Sequence, residues 1–271
     1  MIREMRIRNY SPRTINTYVS LINHLAQHFK SSPDQINIDQ IKDYLHYKIQ
    51  NQSCSVSAVN QTISAVKILY QDVLGMQWEA IKIKRPRKEK KLPIILSRQE
   101  VADIIDQIRN PKHKAMLAVV YSAGLRRDEL VNLKVSDIDS SRMVIRINNG
   151  KGKKDRETLL AKNTLELLRQ YYILYKPTRI LFEGYPKGTP ISHSSLANIL
   201  KKSLQKAGIN KKATIHSLRH SFATHLLEQG TNIKIIQRLL GHHSIRTTIV
   251  YLQVAKIDPK AVSSPFDNLN F

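Results

Sequence analysis

Apolar residues recur three and four positions apart along most of this chain, the spacing of helices that turn one face to a core. Ser11-Pro12 places a Ser N-cap before a Pro at the first helical position. Ile15, Tyr18, Val19, Ile22, Ala26 and Phe29 then form one stripe, which Ser31-Ser32-Pro33-Asp34 interrupts. Ile38, Ile41, Leu45 and Ile49 mark a second helix. Val56, Val59, Ile63, Val66, Leu69, Tyr70 and Val73 mark a third, from about Ser55 to Leu74. Residues 1–82 thus read as a small all-α domain. Pro86 and Pro93 oppose regular structure in the segment 83–96, which reads as a linker.

A second domain, 97–271, opens on the capping box Ser97-x-x-Glu100. The pattern predicts helices near 98–109, 112–123, 161–175 and from Ser192 to Leu204. Met143–Ile147 alternates as a strand, Asn148–Asp155 is a turn, and Arg156–Leu160 returns as the partner strand. Leu218, Phe222, Ala223, Leu226 and Leu227 give the stripe of a helix from Ile215, with His216 and Arg219 outside that stripe. Beyond Gly230, Thr231 serves as the N-cap of a further helix that Gly241 ends. The fold class expected is mainly α with a small β-sheet.

The composition is ordinary for a soluble chain of 271 residues, with 41% hydrophobic and 24% charged residues. Charge changes the picture. Lys plus Arg number 44 against 21 Asp plus Glu, a net +23, which calls for a polyanionic partner. Nucleic acid fits better than an acidic membrane, because no polybasic segment flanks an anchor and no run of about 18 apolar residues occurs. Arg87, Lys88, Lys90 and Lys91 crowd the linker, and with Arg13, Lys67 and Arg85 they are the expected contacts to a DNA backbone. Cys54 is the one cysteine, so no internal disulfide forms. The basic N-terminus lacks the apolar core of a secretory signal, and the expected location is the cytoplasm. Acidic residues are scattered, which argues against a two-metal nuclease site, and no metal or other cofactor is expected.

His216 and Arg219, three apart at a helix start, can reach one target together. That end favours an anion, Arg offers a planar fork of donors, and His exchanges protons near neutrality, so a phosphate is the natural guest. Gly124 ends a helix, and Arg126 begins the next with Glu129 within reach three positions on. Gly150-Lys151-Gly152 lets a lysine project from a hairpin turn. Each feature alone has a bland reading: a solvated His and Arg, a surface ion pair, solvated lysines, and a core aromatic for Tyr251.

Together they are far more demanding. His216-x-x-Arg219, Leu240-Gly241-His242, Tyr251 nine residues later and Gly124-Leu125-Arg126-x-x-Glu129-Leu130 resemble the signature of the tyrosine recombinases, the family of phage integrases, Xer recombinases and integron integrases. The resemblance covers the whole chain, weakly over residues 10–75. It implies a core-type DNA-binding domain followed by a catalytic domain, closing on DNA as a C-shaped clamp. It implies that Tyr251 attacks a DNA phosphodiester to give a 3′-phosphotyrosyl link, with His216 accepting the phenolic proton and Arg126 and Arg219 stabilising the charge. Glu129 would hold Arg126, Lys151 would protonate the departing 5′ oxygen, with Lys153 and Lys154 as the other candidates, and His242 would donate to a non-bridging oxygen. Arg127 stands where relatives often carry an apolar or small residue, and the position after Gly-Leu favours Arg126. The resemblance further implies double-stranded DNA with paired half-sites, a tetramer on two sites, and a tail whose Phe266, Leu269 and Phe271 dock on a neighbouring protomer. A type IB topoisomerase-like nicking enzyme would share this chemistry, and a non-catalytic architectural protein would share the charge alone.

Overall fold

A computed structural model describes residues 1–77, 83–86, 92–148 and 155–256, and the chain divides into two units, Met1–Lys90 and Lys91–Phe271. The first unit is helical: α1 (Ile2–Ile7), α2 (Pro12–Phe29), α3 (Ile38–Gln50) and α4 (Val56–Lys67), the last running on into a π-helical turn, Ile68–Val73. Ser11 caps α2 by accepting from the Thr14 N–H at 3.1 Å. Leu25, Ile41, Val59, Ile63 and Tyr70 are buried together at the centre, and the Tyr70 hydroxyl lies 2.7 Å from the Ile36 carbonyl. Nothing in the apolar pattern pointed to α1. Arg3, Glu4 and Arg6 dilute its stripe, and only Met5 is buried, in a satellite cluster with Ile15 and Ile68.

The second unit is built around two helices that bury residues on several sides, Pro111–Ala123 and Ile215–Glu228. It runs α5 (Arg98–Asp106), α6 (Pro111–Ala123), α7 (Arg127–Val131), β1 (Ile138–Asp139), β2 (Val144–Ile147), β3 (Arg156–Leu159), α8 (Lys162–Tyr175), α9 (His193–Lys206), α10 (Ile215–Glu228), α11 (Ile233–Leu240) and α12 (Arg246–Ile249), ending in a 3-10 turn, Val250–Gln253. The strands form one antiparallel sheet in the order β1-β2-β3, with Ile147 opposite Arg156. The whole is mainly α with a small sheet, as the periodicity implied. No helix among the described residues is long and apolar enough to cross a membrane.

Two expectations change. The N-cap of α11 is Asn232, whose side chain accepts from the Lys234 N–H at 2.8 Å, rather than Thr231. Asn232 is one residue closer to the first helical turn and outcompetes the weaker Thr cap. Nor is α10 one-sided. Arg219 is buried along with Ser217, Ser221 and Thr224, because the helix contacts α6 as well as α11 and the final turn.

Gly124 is where α6 stops, at φ +61°, and an added Cβ would stand 2.4 Å from Phe222 Cδ1. Gly124→Ala combines a left-handed backbone for a residue with a Cβ and overpacking against Phe222. It is expected to destabilise the unit by about 2–4 kcal/mol, measured as a loss in urea unfolding free energy.

Candidate active site

The left-handed Gly124 and buried Leu125 turn the chain so that Arg126 becomes the N-cap of α7. Its Nη1 donates to Glu129 Oε1 at 2.7 Å and its Nη2 to the Gly241 carbonyl at 3.0 Å, which ties α7 to the end of α11. Arg219, on α10, is 3% exposed and reaches the same junction. Its Nη1 donates to the Gly124 carbonyl and its Nη2 to the Leu240 carbonyl, both at 2.6 Å. Two helix C-termini thus present carbonyls to guanidiniums, the pairing that the helix dipole favours. Burial first, then the Arg126 charge, lowers the Arg219 pKa to about 9, and it stays cationic at neutral pH.

One carboxylate holds these cations together. Glu129 accepts from the Arg126 N–H and guanidinium and, bidentately, from Arg156 Nη1 and Nη2 at 2.7 and 2.8 Å. Arg219 Nη1 stands 3.7 Å from its Oε2. Burial pushes the Glu129 pKa up, but the hydrogen bonds and charge of Arg156, followed by those of Arg126, outweigh it and hold the carboxyl at about 2. Arg156 was missed in the sequence. Its signal was the alternation of β3, since Arg156, Thr158 and Leu160 share the inward side of that strand and Thr158 and Leu160 are buried.

Tyr251, in the turn after α12, is 2% exposed and packs among Phe222, Ala223, Ile236 and Leu240. Burial raises the phenol's pKa, while the Arg219 and Arg126 charges pull it down, so its oxygen lies in the field of both guanidiniums. Its hydroxyl bonds His220 Nδ1 at 3.1 Å, and the His242 ring stacks on it with centroids 6.3 Å apart. The His242 Nδ1 is 3.0 Å from Thr248 Oγ1. Burial, then Arg219 and Arg126, lowers the His242 pKa to about 3, so the ring is neutral. With the Thr248 hydroxyl donating to Nδ1, its Nε2 carries the proton and can donate to an anion.

His216 is exposed at the second residue of α10. Its pKa is lowered, by desolvation first and then by Arg219 and Arg127. No hydrogen bond joins it to Tyr251 among the described residues; the partner is His220, one helical turn on, which sequence reading passed over. Lys151 lies in the connection between β2 and β3 and falls outside the described residues, as do Arg87, Lys88, Lys90, Lys91 and the tail residues Phe266, Leu269 and Phe271. A groove of about 1180 Å³, lined by Arg126, Arg156, Arg238, His242 and His243 among others, opens beside these groups. On the first unit Arg13 is exposed. The Arg85 guanidinium lies along α4, donating to the Asn60 carbonyl and Ser64 Oγ at 3.0 and 3.1 Å, and Lys67 follows Ser64 on the same helix.

The phage integrase family model matches residues 95–257, and that of the phage integrase N-terminal SAM-like domain matches residues 1–80. The chain belongs to the phage integrase family. A putative integrase/recombinase of Sinorhizobium fredii is 38% identical to it over 270 residues, 99% of the chain and 88% of that protein. The tyrosine recombinase XerA of Pyrococcus horikoshii is 33% identical, over 92% of the chain and 86% of that protein. A solved XerA recombinase covers 96% of the chain and 92% of its own at 29% identity, with a TM-score of 0.57. The fold matches that of a lambda integrase dimer bound to a core site, with a TM-score of 0.74 over 92% of each chain at 17% identity.

Proposed function

We propose that the protein is a site-specific DNA recombinase that cleaves and rejoins strands through a 3′-phosphotyrosyl intermediate, without metal or ATP. The observation that carries this is the Tyr251 phenol, bonded to an imidazole and set in the field of the Arg126 and Arg219 guanidiniums. A phenol of pKa ~10 needs a proton acceptor and an electrophile whose charge is offset. With a phosphodiester seated on Arg126 and Arg219, the Tyr251 oxygen forms the bond to phosphorus and the bond to the 5′ oxygen breaks. The phenolic proton passes to an imidazole of α10, which carries both His216 and His220, and Lys151 supplies the proton of the 5′-hydroxyl. His242 donates to a non-bridging oxygen, and Glu129 orients the guanidiniums. The phosphotyrosyl bond conserves the phosphodiester energy, so the 5′-hydroxyl of a partner strand reverses the step.

In this reading residues 1–82 are the core-type DNA-binding domain, 83–96 a basic linker and 97–271 the catalytic domain. The partner is double-stranded DNA with paired half-sites, met in the cytoplasm by a tetramer whose tails exchange between protomers. The net charge of +23 supports a DNA partner, as do solved complexes of similar fold, among them a XerH recombinase bound to its difH substrate.

The test is to incubate the protein, in chelator, with a nicked suicide duplex carrying the junction that flanks its gene. A denaturant-resistant adduct whose phosphorylated peptide contains Tyr251 is the expected product. DNA bound tightly with no adduct on any such substrate would overturn the proposal. Arg85→Ala is expected to lower the slope of log Kd against log salt by about 0.9 if Arg85 meets one phosphate, read by titration at several salt concentrations.

A further inference from the structure

We infer that Arg156 is a positioning residue of the cleavage site, one whose charge offsets that of Glu129 and so leaves the charges of Arg126 and Arg219 for the phosphate. This deepens the recombinase reading and rests on it. Arg156 opens β3 opposite Ile147, and its guanidinium reaches the junction where Arg126 ties α7 to the end of α11. All three of its nitrogens are engaged there. Nε donates to the Leu239 carbonyl at 2.8 Å, and Nη1 and Nη2 donate to the two Glu129 oxygens at 2.7 and 2.8 Å. The stem lies against Gly241, where an added Cβ would stand 2.7 Å from Arg156 Cδ. Arg156 thus occupies the space that a side chain between Leu240 and His242 would need.

The cluster of Arg126, Arg156, Arg219 and Glu129 carries a net charge of +2. A phosphodiester carries one negative charge. Once the Tyr251 proton has passed to an imidazole and the phenolic oxygen has bonded to phosphorus, the five-coordinate group carries two. The cluster is therefore matched to the transition state more closely than to the bound substrate, which is the difference that accelerates a reaction. Without Arg156 the surplus falls to one, and both Glu129 oxygens are free to close on Arg126. The exposures order the roles. The side chains of Glu129 and Arg156 are 6% and 7% exposed, whereas that of Arg126 is 19% exposed, so Arg126 meets the phosphate and Arg156 stands behind it. Folding alone does not call for this fork, because a buried ion pair adds little stability over apolar side chains of the same volume.

The experiment measures single-turnover adduct formation at saturating protein for wild type and Arg156→Met, which keeps an apolar stem and removes the charge. Two suicide duplexes are compared, one with an ordinary scissile phosphodiester and one with a methylphosphonate there, in which a methyl group replaces a charged non-bridging oxygen. On the phosphodiester the variant is expected to be slower than wild type by about 10²-fold. On the methylphosphonate the five-coordinate group carries one charge less, and the deficit should shrink to about tenfold or below. A fault of folding or packing would slow the variant equally on both duplexes. A deficit at least tenfold smaller on the methylphosphonate supports the inference, and any smaller difference between the two overturns it. Should Arg156→Met not fold, the double variant Arg156→Met/Glu129→Gln decides, since it buries neither charge and keeps the surplus of two. Its cleavage of the phosphodiester within tenfold of wild type supports the inference, and slower cleavage overturns it. Absence of any wild-type adduct would instead strike the recombinase reading itself.

Discussion

Tyr251→Phe is expected to form no covalent adduct while folding and binding DNA as the wild type does. The substitution removes one oxygen from a side chain that is 2% exposed and leaves its ring among Phe222, Ala223, Ile236 and Leu240. The structural cost is therefore confined to the hydrogen bond with His220, about 1 kcal/mol. The guanidiniums that would seat the phosphate are held by Glu129 and by the carbonyls of Gly124, Leu240 and Gly241, and the phenol orients none of them. Catalysis, by contrast, loses the atom that attacks. Denaturing gels should show no adduct at times when wild-type protein has fully reacted, and gel shifts of both proteins should superimpose. A persistent adduct in the variant would place the nucleophile elsewhere.

That separation between fold and chemistry bears on what could be read from the chain alone. Helices with one apolar face were legible from Ile15 to Phe29 and from Ile38 to Leu45, because their burial follows their own periodicity; Ile49, read into the second stripe, is instead exposed in the last turn, where Lys48 is buried. The reactive set was legible where spacing fixes geometry, as in His216-x-x-Arg219 on one helix or Arg126-x-x-Glu129 across a single turn. It stopped being legible where the partner comes from another element. The contact of His220 with Tyr251 spans 31 residues, and the fork of Arg156 on Glu129 spans 27. No local pattern encodes either. Arg219 fell outside the apolar stripe read for α10 and is nevertheless buried, because helices packed on several sides bury polar residues whose partners lie on their neighbours. Met5 closes a satellite core from a helix with too few apolar residues to show a period.

Glu129→Ala is expected to have the largest effect on stability, because it removes the one carboxylate among three guanidiniums. The Glu129 side chain is 6% exposed, with Arg156 at 7% and Arg219 at 3%, so solvent does little to screen what is left. Breaking a buried pair from one side costs about 3–5 kcal/mol, since the partner's charge remains buried; here both Arg126 and Arg156 lose their carboxylate partner and keep one backbone carbonyl each. Urea unfolding followed by circular dichroism should show the loss, and adduct formation should fall with it as Arg126, left with the Gly241 carbonyl as its remaining acceptor, is less firmly oriented. The pH dependence has a defined sign. The folded carboxyl sits at about 2 against an ordinary value of 4.5, so its contribution is complete above the unfolded value and is lost as pH falls from about 5 toward 2. Its size is about 3 kcal/mol at roughly 1.4 kcal/mol per unit. Glu129→Gln, which keeps the shape but carries no titrating charge, should therefore be less stable than wild type at pH 7 and converge with it on acidification. A constant gap between the two down to pH 2 would show that Glu129 acts by packing and hydrogen-bond geometry rather than by charge.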